Sequence, residues 1–318
     1  MTDPLPANLV PEHHLIAALS PRWRQRFERA IAYLIDTLDQ TPPPTWQQVA
    51  EHCALSAGHF HRMFRLVFQE TPAQYQGRLR LQWAVFLLLD EPLLSVTEVA
   101  QYCGYSSSQA LAKALQRELK LTARQIRRLA EGDHQAEREA LLRRLGQPAR
   151  QTDCLERQIA RQLTFRQVEQ PVRQLSLVPL ASPGLVRIDR LWRRRFARPG
   201  REMVLLTPVA DLEKPPQQLV IQLGIELAAS SGDNYQLPAG RFLSCRVSIS
   251  SEVGYLAVWD ALYAYLLEHD LELDMTASCI EVIHNPEALW SEPSDMTISV
   301  PLLTRRPGGE VEDGVARR

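Results

Sequence analysis

At 318 residues, 45% hydrophobic and 23% charged, the chain has the length and composition of two globular domains with cores of their own, which excludes disordered and fibrous classes. Its best apolar run, Trp83 to Leu89, is far too short to span a bilayer, and Met1 is followed by neither a basic nor an apolar leader, so a cytoplasmic protein with no membrane partner is expected. The net charge of −1 hides an asymmetry: Arg22 to Arg128 holds 14 Lys and Arg against 9 Asp and Glu, while residue 151 onward holds 18 against 22, so phosphate suits the first part and some other partner the second.

Residues 1 to 21 are polar and breaker-rich and are expected to be poorly ordered. Within residues 22 to 130 a unit then occurs twice. Val49-Ala50-Glu51-His52-Cys53 returns as Val99-Ala100-Gln101-Tyr102-Cys103, the mark of one supersecondary unit reused. In the first copy, Thr45 with Gln48 makes a capping box that opens a short helix, Leu55-Ser56 turns the chain, and a second helix runs from Ala57 to Phe68. In the second copy, Ser95 with Glu98 repeats the box, Gly104 supplies the turn, and Ser107 or Ser108 caps a helix to about Leu119. Phe60, Phe64 and Phe68, like Leu111, Leu115 and Leu119, fall at helical spacing and bury the inner face of each second helix. His59, His61, Arg62 and Arg65 remain outward on the first, and Gln109 and Lys113, after Ser108, on the second. These are polar side chains on a helix narrow enough for a major groove, with Arg62 the expected principal base contact. Between the copies, Thr71-Pro72 starts an amphipathic helix from Ala73 to about Asp90, expected to act as a rigid spacer.

This pattern resembles the DNA-binding domain of the AraC/XylS family of bacterial transcription regulators. The resemblance rests on the two capped units, Met63-Phe64-Arg65, Thr71-Pro72-x-x-Tyr75, Arg80-Leu81-x-x-Ala84 and Gly104-Tyr105. The sequence departs from the family at Gln69 and Lys120, where glycine is common, at Ala123, where proline is, and at Leu111 and Leu115, where phenylalanines are, so base reading is expected to rest more on the first unit. The resemblance implies duplex DNA and RNA polymerase as partners.

Residues 131 to 160 are charged, with a helical stretch from His134 to Leu145 ended by Gly146-Gln147-Pro148, and read as an interdomain linker. The second domain, 161 to 304, alternates strands and helices: strand Leu163 to Glu169, helix Gly184 to Phe196, strands Met203 to Val209 and Gln218 to Glu226. The order then recurs as strand Arg241 to Ser250, helix Glu252 to His269, and strands Ala277 to His284 and Met296 to Leu302. An all-α domain followed by an antiparallel α+β domain, built from a strand-helix-strand-strand unit used twice with its helices on one face and a groove between the halves, is therefore expected. The tail 305 to 318 is expected to be disordered.

The second domain resembles the GyrI-like small-molecule-binding domain, through Leu237-Pro238-Ala239-Gly240-Arg241, Tyr255-x-x-Val258-Trp259-x-x-Leu262, Cys279-Ile280-Glu281-Val282 and Ile298-Ser299-Val300-Pro301. An AraC-type domain followed by a GyrI-like one is a Rob-like architecture, and in that family the acid matching Glu281 lies in the pocket. A tyrosine is often found two residues after that acid; here the position is Ile283. The residues carry their own argument beside the resemblance. Tyr255, Trp259 and Tyr263 recur on one helix face, Cys279, Glu281 and Ile283 share one strand face, and with Trp192 they make a candidate site for an amphipathic organic cation. The plainer alternatives are that the aromatics are core and that Glu281 pairs with an arginine from Arg193 to Arg195.

Five cysteines, odd in number and widely scattered, have no metal-ligand spacing and are expected to be reduced and buried. His59 and His61, two apart on a helix, do not face each other as ligands would. No glycine-rich phosphate loop, HExxH or GxSxG is present, so no cofactor, metal or catalytic residue is assigned. Two other classes remain: a small-molecule hydrolase using Glu281 with Tyr255 or Tyr263, and a protein-interaction module.

Overall fold

The computed structural model describes residues 6–131, 134–148, 153–212, 214, 218–227, 235–289 and 292–303. The chain opens with a strap across both domains. β1 (Ala7–Asn8) pairs in parallel with Val247 and Ser248 of the C-terminal sheet, and Leu9 is buried in that domain's core. Immediately afterwards α1 (Pro11–Ala17), begun by a proline suited to the first helical turn, sends Ile16 into the core of the helical domain. Its Glu12 carboxylate accepts from the Tyr75 hydroxyl at 2.8 Å. The expectation of poor order over residues 1 to 21 is thus corrected from residue 6 onward, because Leu9 and Ile16 each bury apolar surface in a different core. Residues 1 to 5 lie outside the described residues, as does the tail from 304 on.

The helical domain continues with α2 (Pro21–Asp36), α3 (Trp46–His52), α4 (Ala57–Phe68), α5 (Pro72–Asp90), α6 (Val96–Tyr102), α7 (Ser108–Glu118) and α8 (Ala123–Ala130). It has two cores. Phe27, Phe60, Phe64, Phe68 and Tyr75 fill the first, and Leu88, Val99, Leu111, Leu115 and Ile126 are central to the second. α5 belongs to both, which makes it the spacer the sequence implied. Arg80, buried on α5, donates to Gly104 O at 3.0 Å and Gln40 O at 2.7 Å, joining the turn of the second unit to the loop after α2. Gly104 itself sits at φ 68°, where any side chain would collide with the Leu38 carbonyl.

Within the stretch expected as an interdomain linker, residues 134–148 and 153–160 pack against the cores on either side. α9 (Gln135–Arg143) and the turn after it put Leu141, Leu142 and Leu145 into the second helical core, and α10 (Leu155–Ala160) puts Ala160 into the core of the sheet domain. The charged composition that suggested a linker is used in ion pairs to the C-terminal domain, described below.

The C-terminal domain comprises β2 (Arg166–Gln170), β3 (Arg173–Ala181), α11 (Leu185–Arg195), β4 (Met203–Pro208), β5 (Val220–Glu226), β6 (Tyr235–Leu237), β7 (Gly240–Ile249), α12 (Glu252–Glu268), β8 (Ser278–Ile283) and β9 (Ser294–Pro301). The described strands run in the order β1-β7-β9-β8-β4-β5-β3-β6, with β2 also on β7. The order strand, helix, strand, strand occurs as β3-α11-β4-β5 and as β7-α12-β8-β9, and the two sets join through the antiparallel pair β4·β8. One boundary differs from expectation. The strand that opens the first set is β3, whereas β2, in the Leu163 to Glu169 region, crosses over to pair with β7. β3 and β5 approach so closely that a Cβ on Gly224 would lie 1.8 Å from Ser176 O. Both α11 and α12 pack on one face through Trp192, Val258 and Leu262 against Leu205, Leu243 and Ile298; the other face carries Leu175, Val204, Phe242 and Ile280.

Candidate nucleic-acid interface and effector site

The first helix-turn-helix unit is fixed at its start by a complete capping box: Gln48 N donates to Thr45 Oγ1 at 3.3 Å and Thr45 N to Gln48 Oε1 at 2.8 Å. Phe60, Phe64 and Phe68 are fully buried, so the opposite side of α4 must face solvent. Gly58, His59, Arg62 and Arg65 are exposed there and His61 is half-buried. At about 100° per residue, Arg62 and the exposed Leu66 stand opposite the phenylalanines, with Gly58 and Arg65 to one side, His59 to the other, and His61 nearer the core. Each histidine is backed by a tryptophan edge, His59 by Trp23 at 5.3 Å and His61 by Trp46 at 5.6 Å, and Arg26 lies over Trp23 at 5.5 Å.

The second unit is built alike. Ser95 and Glu98 form its capping box, and hydrogen bonds from Ser95 hold the Glu98 carboxyl below the usual range. Ser107 rather than Ser108 caps α7, its Oγ accepting from Ala110 N at 3.2 Å, so Ser108 becomes the first helical residue. Gln109 and Lys113 are exposed on the face opposite Leu111 and Leu115. Cys53 and Cys103 occupy matching core positions, and burial raises their thiols to about 11 and about 12.

In the C-terminal domain, strand alternation turns Cys279, Glu281 and Ile283 toward the helices. Glu281 is 9% exposed, and its Oε1 accepts from the Tyr255 hydroxyl at 2.6 Å. Among the described residues no guanidinium or ammonium pairs with it. Burial pushes its carboxyl up, opposed by that hydroxyl, and the Tyr255 hydroxyl is itself pushed up by burial and then by the Glu281 charge. The arginine alternative does not arise: Arg193, Arg194 and Arg195 are exposed, and Arg193 bonds Asp189 of its own helix at 2.8 Å. Trp259 stands 6.3 Å from Tyr255 and 6.0 Å from Tyr263. Its indole N–H lies close enough to the Tyr255 hydroxyl to favour ionisation there slightly, but its geometry leaves that buried donor without a hydrogen-bond partner. The fold thus brings Tyr255, Trp259, Cys279 and Glu281 together. Trp192 lies in the same core, packed on Phe196, and Tyr263 is 42% exposed one turn farther along α12. A surface cavity of about 290 Å³ is lined by Leu191, Arg194 and Arg195 of α11 rather than by these residues.

Sequence reasoning missed the junction between the domains. Arg138 donates to Glu252 at 3.0 Å, and Asp260 receives Arg157 at 3.1 Å and Arg143 at 3.6 Å, while Leu256 packs into the second helical core. Glu252, Leu256 and Asp260 are four apart, a signal present in the sequence once α12 is assigned. Among the described residues no cluster of metal-ligating side chains occurs, and no helix is long and apolar enough to cross a membrane.

The helix-turn-helix domain family profile matches residues 49–129. The HTH-type transcriptional activator RhaS of Escherichia coli O139:H28 is 37% identical over 87 residues, 27% of this chain and 31% of RhaS. The chain therefore spans about a third of the length of the curated relatives it matches. Residues 49–129 are thus similar to a helix-turn-helix domain, and to the corresponding part of RhaS. Among solved structures, an AraC-type regulator from Chromobacterium violaceum is 20% identical and covers 35% of this chain and 96% of its own (TM-score 0.31). The DNA-binding domain of AdpA, solved with a target DNA, is 26% identical and covers 34% and 98% (TM-score 0.31). SAV2435, solved with tetraphenylphosphonium, is 10% identical and covers 44% and 94% (TM-score 0.32).

Proposed function

We propose that the protein is a ligand-responsive transcription regulator. α4 and α7 enter successive major grooves of duplex DNA, and the C-terminal half is a GyrI-like module that senses an amphipathic organic cation. RNA polymerase is the partner that such a regulator acts on, and its site of action is the cytoplasm. The observation that carries the DNA reading is the pair of capped units held in one frame by α5 and Arg80, each leaving one polar helix face free. The cation reading is supported by Glu281, a buried carboxylate whose partner is a neutral hydroxyl, beside the aromatic rings of Tyr255 and Trp259. The strand-helix-strand-strand order used twice supports the GyrI-like assignment. Two recognition helices in one frame call for half-sites about 34 Å apart, so one chain should protect an asymmetric stretch of roughly two turns with no palindrome required. Footprinting with the full-length chain tests this. Protection of a single turn, or binding that depends on an inverted repeat, contradicts it.

A further inference from the structure

The connector between the domains grips the ends of both recognition helices. Arg144, just past α9, donates from Nη1 to Leu119 O at 3.1 Å and from Nη2 to Glu118 O at 3.0 Å, the last carbonyls of α7. Three residues on, Gln147 Nε2 donates to Phe68 O at 3.0 Å, the last carbonyl of α4. Such carbonyls have no partner within their own helix. Both helices also run out through a non-glycine residue in left-handed backbone, Gln69 at φ 59° and Lys120 at φ 60°. The endings are thus not set by local glycine chemistry, and side chains from elsewhere complete them.

Gln147 is rigidly held for this task. It is fully buried, its Oε1 accepts from Arg78 of α5, and its backbone N–H donates to the Glu156 carboxylate of α10 at 3.1 Å. Arg78 in turn binds Glu70, two residues past α4, at 2.7 Å. Arg144 and Gln147 therefore belong to one short, anchored stretch that touches both recognition helices at the same end. α5 spaces the two units, but each recognition helix is about 16–18 Å long, so a small swing at its C-terminus displaces the N-terminal residues that meet base edges.

We propose that Arg144 and Gln147 are positioning residues that fix the two recognition helices relative to one another, so that the connector, together with α5, sets the half-site separation the protein accepts. This rests on the DNA-binding reading above. Neither residue lies on the outward faces of α4 or α7, and neither is offered as a DNA contact.

The test uses the full-length chain and a two-part duplex selected with it from a random pool. Affinity is measured for the selected duplex, for versions with one base pair inserted or removed between the halves, and for a single half-site. Each such change alters the separation by about 3.4 Å and the angle by about 35°. The wild type should lose about tenfold on altered spacing, comparable to a mismatch. Arg144 is exposed, so Arg144→Ala should fold; it should lose about threefold or less on altered spacing while its half-site affinity stays within about twofold. Arg144→Lys keeps the charge but cannot bridge two carbonyls with a planar fork, so it should discriminate spacing less well than wild type, which separates geometry from charge. The proposal is overturned if Arg144→Ala retains the full spacing discrimination, or if it weakens all the duplexes by one common factor. Should the wild type select no two-part duplex at all, the DNA-reading function itself falls and this inference with it.

Discussion

Asp90→Asn should stabilise the protein, and increasingly so as pH rises. Asp90 ends α5 at the domain junction. Arg138 Nη2 lies 3.8 Å from its Oδ1 and 3.0 Å from Glu252 Oε1, and a Cβ on Gly184, at the start of α11, would come within 3.3 Å of Asp90 Cβ. One guanidinium thus serves two carboxylates in a nearly dry site. Burial first, then the Glu252 charge, raise Asp90 from 3.8 to about 8, with Arg138 pulling the other way and Glu91 adding slightly to the rise. The unfolded chain releases this proton near 3.8 and the folded one near 8, so between those values the folded state binds more protons and stability falls as pH rises. The ionised carboxylate therefore costs the folded state on the order of a few kcal/mol above pH 8. Asparagine keeps the shape and abolishes the titration but forfeits the contact with Arg138. The stability gap in its favour should therefore grow by about 1–3 kcal/mol from pH 4.5 to pH 8, a few degrees in Tm. Thermal and urea melts of both proteins at the two pH values measure it. A gap that stays constant, or that grows toward low pH, would show that Asp90 is held as a paired carboxylate and refute the reasoning.

Arg62→Ala should cost about 1–3 kcal/mol on a selected duplex and much less on random duplex, since Arg62 stands on the outer ridge of α4; equal losses in a binding titration would make it a phosphate contact. Glu281→Gln should weaken a flat aromatic cation far more than a neutral ligand of the same shape, by calorimetry, and leave DNA affinity in the absence of ligand unchanged. Because burial holds Glu281 neutral to higher pH than an exposed carboxylate, wild-type affinity for the cation should also rise with pH and the Gln variant's should not.

What the sequence made legible was whatever is local. Thr45 with Gln48 and Ser95 with Glu98 mark helix starts within three residues, and the aromatic and leucine spacing of α4 and α7 names their buried faces. Period two along Cys279, Glu281 and Ile283 likewise puts the three on one strand face, but neither that this face meets the helices nor the partner of Glu281 is legible, since both depend on how α12 crosses β8. β3 is not legible in the sequence because Arg173, Gln174 and Ser176 blur its alternation and Pro179 interrupts it, a proline tolerated where no ladder N–H is needed. β1 has only two residues and no pattern to read. Arg144 and Gln147 were illegible for a different reason. Their partners are backbone carbonyls far along the chain, and a carbonyl carries no residue identity that a sequence could display.

The strap of residues 6 to 17 also dictates an order of events during synthesis. β1 leaves the ribosome about 240 residues before Val247 and Ser248, its ladder partners. At about 5–20 residues per second the strand waits roughly 10–50 s for its place. In that interval α1 can already dock on the helical domain through Ile16 and Glu12, so the nascent strand is held beside a folded body instead of trailing as an unpaired edge. When β7 emerges, the polypeptide closes on itself, and a nick anywhere in the connector would leave two fragments still stitched together by that first strand.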